Sequence, residues 1–280
     1  MVFVFFNKNQ DPLIKEEIEV YDVNSMGPAM MLKPLPIERP YYYRGKIETN
    51  RTFSLGIQRF YVNSAELKPN KIPMLNNNTP LLRGGVEYLT HVSEHEMDEK
   101  KTFMLTLPEF ELFKESYHYE KLECLDGYVF KAKDCFFNEY INEFLKIKNS
   151  DDKTIKRIGK MFLNTLSGKF GENPRRYECF IEFENDLQRF YRKDEPFYRK
   201  CGYLPIAIFM NSYARVFLIE SIYKIGVENF IYCDTDSIHC LKTENAQKLN
   251  IHPSKIGAWK LENSDKKLSQ LNIYLVDDIV

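Results

Sequence analysis

The sequence predicts an α+β protein, because apolar residues recur at helical spacing in some segments and form short strand-like runs in others. The chain has 280 residues, of which 44% are hydrophobic and 14% aromatic, enough for the packed core of one large or two modest domains. This composition excludes disordered and fibrous proteins. With 39 Lys+Arg against 40 Asp+Glu, the formal net charge is -1. Any site for a polyanion must therefore be a local patch.

Strands are predicted near both ends of the chain. Residues 1–6 are apolar, but the run has no basic start and is shorter than the apolar stretch of a signal peptide, so it is predicted to be a strand. Residues 18–21 form a second β-prone segment, which ends at Asp22. Residues 230–241 predict two short strands around a tight acidic turn, Asp234-Thr235-Asp236.

Three helices are predicted from the spacing of apolar residues. Residues 137–145 and 155–166 repeat apolar side chains at helical intervals, and Gly168 is the expected stop of the second helix. Residues 206–223 predict a long buried helix that ends before Gly226. This segment is not predicted to span a membrane, because three polar side chains interrupt it: Asn211, Arg215 and Glu220.

The candidate polyanion patch lies at residues 146–176, which hold nine Lys/Arg and three Asp/Glu. Helical geometry places five polar side chains opposite the apolar residues of the second helix: Lys153, Lys156, Lys160, Asn164 and Ser167. An ordinary solvated face of an amphipathic helix is the alternative interpretation. Residues 87–123 are acidic instead, with ten Asp/Glu and four Lys.

Asp234 and Asp236 place two like charges at the edge of a predicted core, and Asp22 ends another predicted strand. A divalent cation would relieve the repulsion between them, and Mg²⁺ binds through one or two carboxylates plus substrate phosphates. Three such carboxylates would suit a two-metal site for phosphoryl transfer. Aspartates that only form a turn are the alternative.

Three motifs in the chain resemble those of family B DNA polymerases, and they occur in the family's order. Tyr232-Cys233-Asp234-Thr235-Asp236-Ser237 matches the Y-x-D-T-D-S motif. The segment that begins at Lys160 and ends at Gly168 resembles the K-x-x-x-N-S-x-Y-G motif of the fingers, and Asp22–Pro28 resembles D-x-x-S-L-Y-P. The motif separations and the Lys255–Trp259 segment are similar to the protein-primed branch of bacteriophages, linear plasmids and organelles. The resemblance covers Ile18 to Trp259.

The resemblance implies a polymerase palm, an antiparallel sheet backed by helices, with helical fingers and two insertions. The expected divisions are palm at residues 1–33, a first insertion at 34–135, fingers at 136–170, a second, hairpin insertion at 171–205 and palm again at 206–280. The exonuclease and thumb domains are expected to be absent.

The function implied is a template-directed DNA polymerase that adds dNTPs to a primer 3′-hydroxyl in DNA replication. Asp22, Asp234 and Asp236 become the expected catalytic residues and, with the Val23 carbonyl, the ligands of two Mg²⁺ ions, with Mn²⁺ as a substitute. The expected nucleotide-binding residues are Ser25, Met26, Gly27, Lys148, Lys156, Lys160 and Asn164. The expected DNA-binding residues are Ser167, Gly168, Tyr232, Thr235 and Tyr274.

The resemblance also implies partners and a compartment. Template-primer DNA, dNTPs and a terminal protein that docks on residues 34–135 are expected, as is a separate chain that supplies an exonuclease or thumb. No membrane partner is expected. The protein is expected inside the cell, cytoplasmic if a bacterium, phage or plasmid encodes it and mitochondrial if an organelle does.

Two residues depart from the family pattern. Gly27 replaces a tyrosine that lies under the deoxyribose, and Ser167 replaces a fingers tyrosine that packs on the new base pair. Weaker dNTP binding and relaxed sugar discrimination are therefore expected, because a buried aromatic ring contributes roughly 1.5–3 kcal/mol.

Two alternatives remain open. The chain would be a catalytically impaired remnant, for example of a mobile element, that still binds DNA or terminal protein. More remotely, His91, Glu94 and His95 fit the H-x-x-E-H pattern of a zinc metallopeptidase, in which both histidines lie on one helical face.

Overall fold

A computed structural model describes residues 4–6, 17–80, 86–93, 102–184, 187–199 and 202–265. The chain forms two compact units, unit 1 from Met1–Asn138 with Phe209–Val280, and unit 2 from Glu139–Ile208. No helix in the described ranges has both the length and the apolarity that a membrane-spanning helix requires. The domain boundaries expected within these units stay predictions.

The helices are α1 (Met26–Met31), α2 (Leu107–Ser116), α3 (Asn138–Lys148), α4 (Lys153–Phe170) and α5 (Leu204–Ile225). The first strands are β1 (Val4–Phe6), β2 (Ile18–Val23), β3 (Leu35–Arg44), β4 (Leu55–Tyr61), β5 (Ser64–Leu67), β6 (Asn76–Pro80), β7 (Val86–Tyr88), β8 (His91–Val92) and β9 (Thr102–Thr106). The remaining strands are β10 (Tyr117–Glu120), β11 (Glu123–Lys133), β12 (Arg175–Arg176), β13 (Cys179–Glu184), β14 (Leu187–Arg192), β15 (Phe197–Tyr198), β16 (Phe230–Asp234), β17 (Ser237–Leu241) and β18 (Trp259–Asp265).

The central sheet of unit 1 has the strand order β1-β16-β17-β2-β18, and every pairing in it is antiparallel. Its strands are apolar because side chains on both faces are buried, as Val20, Tyr21 and Ile238 show. Helix α5 packs against one end of this sheet, where the Phe217 ring stacks on the buried Trp259 with centroids 5.6 Å apart. The predicted strands around Asp22 and the acidic turn are confirmed.

A second sheet in unit 1 has the order β3-β11-β4-β9. Phe60 on β4 packs against α2, with ring centroids 4.9 Å from Phe110 and 5.1 Å from Phe113. Phe130 on β11 meets Phe209 of α5 edge to face at 5.5 Å. The second sheet therefore packs against α2 through β4 and against α5 through β11.

Unit 2 contains α4, α3 from Glu139 onward and two two-stranded antiparallel sheets, β12 with β15 and β13 with β14. Asp152 caps α4, since its Oδ1 accepts hydrogen bonds from the Thr154 and Ile155 amides at 2.7 and 3.1 Å. The prediction that Gly168 stops this helix is wrong. The helix continues to Phe170 and ends at Gly171, whose amide donates to the Gly168 carbonyl at 3.2 Å. A glycine can adopt helical angles as well as others, so its presence alone does not end a helix.

Candidate active site

The central sheet brings the three candidate carboxylates to one edge. The register places Asp22 opposite Ser237 on β17, and Ser237 opposite Asp234 on β16. The Val23 amide donates to the Asp236 carbonyl at 2.8 Å, which joins the end of β2 to the acidic turn. All three aspartates are half-buried, so they lie at the boundary between the core and solvent.

The acidic turn is tightly constrained. The Asp236 amide donates to the Asp234 carbonyl at 2.6 Å, and Thr235 between them has a φ of 54°, in the left-handed region that β-branched residues rarely adopt. The Thr235 hydroxyl donates to Asp234 Oδ1 at 2.8 Å, and the Ser237 hydroxyl donates to the Asp234 carbonyl at 3.1 Å. The Thr235 bond orients the Asp234 carboxylate, and the two bonds to the Asp234 carbonyl fix the backbone of the turn.

The donor set at this edge consists of oxygen atoms. Within the described ranges, no three His, Cys, Asp or Glu side chains are arranged as a metal cluster. The set therefore does not form a complete protein cage for a cation. It does fit Mg²⁺, which is commonly held by one or two carboxylates together with substrate phosphates.

Tyr232 and His239 form the next row of the same face, because side chains on a strand alternate between faces. Their rings meet edge to face with centroids 5.3 Å apart. Burial, and then the charge of Asp234, raises the pKa of Tyr232. Burial lowers the pKa of His239, although Asp234 acts in the opposite direction. His239 Nδ1 is buried and has no hydrogen-bond partner among the described residues.

The chain reverses from β2 into α1 at Ser25, which has φ 53° and ψ 58°. The Ser25 carbonyl accepts a hydrogen bond from the Ala29 amide at 2.9 Å. Met26 is buried, while Ser25 and Gly27 are half-buried. These three predicted nucleotide-binding residues thus lie just after β2, the strand that carries Asp22.

Unit 2 brings three predicted lysines together. Lys156 and Lys160 are exposed one turn apart on α4, and Lys148 is half-buried at the end of α3. Burial, then the charges of Lys160 and Lys156, lowers the pKa of Lys148. Three ammonium groups this close favour an anionic ligand.

The other predicted residues of α4 lie toward its end. Asn164 and Gly168 are exposed, and Ser167 is half-buried. The Ser167 hydroxyl donates to the Asn164 carbonyl at 2.8 Å, so it is used within the helix.

The family model for DNA polymerase type B, organellar and viral, matches residues 6–254. The chain belongs to this family. The DNA polymerase of Bacillus phage Nf is 31% identical to it over 256 residues, which cover 90% of this chain and 44% of the phage protein. The DNA polymerase of Streptococcus phage Cp-1 is 29% identical over 273 residues, which cover 94% and 46%.

The fold of this type B polymerase chain is similar to a solved structure of Phi29 DNA polymerase complexed with primer-template DNA and incoming nucleotides. The TM-score is 0.80 at 29% identity, and the match covers 95% of this chain and 46% of the other. The family and the α+β fold predicted from the sequence are thus confirmed. The chain spans less than half the length of these relatives.

Gly159 was not identified from the sequence motifs. A Cβ on Gly159 would lie 2.5 Å from the Lys148 amide nitrogen and 2.9 Å from Lys148 Cα, so only glycine lets α3 approach α4 this closely. An isolated glycine inside an amphipathic helix is the signal that points to such a contact.

Two predictions fall partly or wholly outside the described residues. Tyr274 lies outside them, as do Glu94 and His95 of the metallopeptidase pattern. The helical placement of His91 which that alternative requires is wrong, because His91 lies in β8 and pairs with Glu66 of β5. His91 adopts a strand conformation because β8 pairs with the distant strand β5, and the spacing of residues within one segment does not reveal such a pairing.

Proposed function

We propose that the chain acts as a template-directed DNA polymerase that adds dNTPs to a primer 3′-hydroxyl during DNA replication. The observation that carries this proposal is the bond between the Val23 amide and the Asp236 carbonyl, which brings Asp22 and the acidic turn to one sheet edge. Family membership supports the same reaction. A fold relative that binds primer-template DNA and nucleotides supports these as substrates.

Asp22, Asp234 and Asp236, with the Val23 carbonyl, are the proposed ligands of two Mg²⁺ ions, with Mn²⁺ as a substitute. When bound, the metal activates the 3′-hydroxyl for attack on the α-phosphate and neutralises the charge of the leaving pyrophosphate. Thr235 holds the Asp234 carboxylate in place through its 2.8 Å hydrogen bond. This pre-set orientation reduces the reorganisation required when substrate binds.

The incoming nucleotide is the proposed ligand of two further groups of residues. In unit 2 the ammonium groups of Lys148, Lys156 and Lys160 bind the triphosphate as point charges, and Asn164 lies near the nucleotide. In unit 1 the Ser25 side chain and the Met26 and Gly27 amides line the phosphates. Since Gly27 and Ser167 replace aromatic residues, we expect relaxed sugar discrimination, measured by comparing rNTP with dNTP incorporation.

Template and primer are the proposed partners of Ser167, Gly168, Tyr232, Thr235 and Tyr274. The second insertion, residues 171–205, is proposed to contact template DNA through aromatic and basic side chains. There the Arg192 guanidinium lies 4.4 Å from the Tyr177 ring centroid, and Phe190 and Tyr198 are exposed. Terminal protein is the proposed partner of residues 34–135.

Primer extension by the purified chain in Mg²⁺ tests the proposed reaction. We expect Asp236→Ala to lower the extension rate by more than about a hundredfold, because a metal ligand supplies several kcal/mol of transition-state stabilisation. Asp134→Ala, which removes an exposed carboxylate outside the site, should leave the rate unchanged.

Extension that survives Asp236→Ala would exclude the proposed site. If the unchanged chain binds primer-template DNA but does not extend it, the catalytically impaired binder is the correct interpretation.

A further inference from the structure

The junction between β2 and α1 requires an external support. Ser25 is a non-glycine residue with φ 53° and ψ 58°, a left-handed conformation that costs about 1–2 kcal/mol. Such a conformation persists only where the surrounding structure determines it. Val23, just before the junction, is already bound to the acidic turn through its amide.

Asn24 supplies that support with three hydrogen bonds to one distant segment, residues 252–258. Its amide donates to the Ala258 carbonyl at 2.9 Å, and its own carbonyl accepts from the Gly257 amide at 2.8 Å. Its side-chain Nδ2 donates to the His252 carbonyl at 2.8 Å. The amide, the carbonyl and the side-chain Nδ2 of Asn24 therefore all form hydrogen bonds with this segment.

The 252–258 segment is itself anchored. The His252 ring accepts hydrogen bonds from the Ser254 and Lys255 amides at Nδ1, at 3.1 and 2.9 Å. The His252 amide donates to the carbonyl of Trp259 at 2.8 Å, and Trp259 is 1% exposed. Asn24 thus ties the junction to a largely exposed segment that is anchored at its end by the buried Ala258 and Trp259.

We propose that Asn24 is a positioning residue for nucleotide binding, which acts through the Ser25–Gly27 backbone. This role rests on the proposed polymerase function. It is assigned to the residue between β2, which carries the proposed metal ligand Asp22, and residues Ser25–Gly27, which are proposed to line the phosphates. Asn24 is half-buried, so water can replace the bond lost by truncation and the cost to folding is small. The position of the junction depends on the direct bond.

Nucleotide binding and turnover of Asn24→Ala, Asn24→Gln and Asn229→Ala test the role. Asn229→Ala is a matched control, because Asn229 is also half-buried and donates through Nδ2 to a carbonyl, that of Ile225, at 2.9 Å. We expect Asn24→Ala to raise the dNTP KM and the Kd for Mg²⁺-dNTP by about two- to tenfold, the value of one hydrogen bond, with kcat nearly unchanged. Asn24→Gln, which keeps an amide donor, should recover part of the loss.

An unchanged Kd in Asn24→Ala, an equal rise in Asn229→Ala, or no dNTP binding by the unchanged chain would overturn the role of Asn24. Calorimetric titration gives the Kd without turnover. A Kd shift in a chain that never extends a primer would support the role of Asn24 and reject the proposed polymerase activity.

Discussion

Gly159 and Gly168 lie on the same helix but differ in their surroundings. A Cβ at position 159 would meet backbone atoms of Lys148 within 3 Å, whereas a Cβ at 168 would have no neighbour within 4 Å. Gly159 therefore sets the distance between α3 and α4, and with it the approach of Lys148 to Lys156 and Lys160. Gly168 has no such role in packing.

Gly159→Ala should therefore destabilise the chain by about 1–3 kcal/mol, because overpacking outweighs the gain in helix propensity. Gly168→Ala should instead stabilise it by about 0.5–1 kcal/mol. Thermal unfolding of both variants measures the difference. Equal effects at the two positions would show that α3 and α4 do not meet at Gly159.

His239 should make stability depend on pH. Burial lowers its pKa below the ordinary value of 6.5, so the unfolded chain binds the proton more readily than the folded chain. Above pH 6.5 this histidine should leave the stability unchanged with pH. As the pH drops from 6.5 toward the folded-state pKa, the stability should fall. His239→Phe keeps a ring and removes the titrating group, so it should flatten this slope in denaturant unfolding at pH 7 and pH 5.5. An unaltered slope would contradict the assignment of this pH dependence to His239.

The stability of helix α4 depends on the hydrogen bonds that cap its first turn. Asp152 accepts two amide hydrogen bonds there, while Asp151 beside it is exposed and makes no cap contact in the described structure. The helix is 18 residues long, and its exposed apolar side chains Ile155 and Ile158, 44% and 43% accessible, contribute little burial to hold that turn.

Asp152→Ala should consequently cost about 1 kcal/mol, the usual value of an N-cap, while Asp151→Ala should cost much less. Denaturant unfolding compares the two, and circular dichroism should show fewer helical residues only in Asp152→Ala. A similar loss in both variants would mean that general charge at the helix start, rather than the cap, stabilises α4.

An ion pair between the buried Glu109 of α2 and the half-buried Arg215 of α5 joins two helices within unit 1. Glu109 has a side chain 4% exposed and accepts from Arg215 Nη2 at 2.6 Å. It also accepts from the Thr106 hydroxyl at 2.9 Å, and Thr106 in turn contacts Ser212 of α5. These bonds join segments more than 100 residues apart in the sequence.

Arg215→Met should destabilise the chain by about 3–5 kcal/mol, because it leaves the buried Glu109 carboxylate without its cation. Adding Glu109→Gln should restore part of the loss, since a neutral amide costs less to bury. Thermal unfolding of the single and double variants measures this coupling. Additive losses would show that the two residues do not act as a pair.

Short sequence patterns were enough to predict several strands and helices of this protein and its family. Short β-prone runs predicted β2, β16 and β17. Helical spacing predicted α3, α4 and α5, because side-chain periodicity reflects which face a helix buries. Three motifs in the family's order, at Asp22–Pro28, Lys160–Gly168 and Tyr232–Ser237, predicted the family. These signals are contained in short stretches of chain, so they need no knowledge of the tertiary structure.

Tertiary structure alone decided how those stretches meet. The strand order β1-β16-β17-β2-β18 places Asp22 beside a turn more than 200 residues later, and Asn24 bonds a segment 228 residues away. The close approach at Gly159 and the Glu109–Arg215 pair also join separate elements. Such contacts depend on which edges and faces satisfy one another's hydrogen bonds and volume in three dimensions, and the periodicity of a single segment carries no record of its partner.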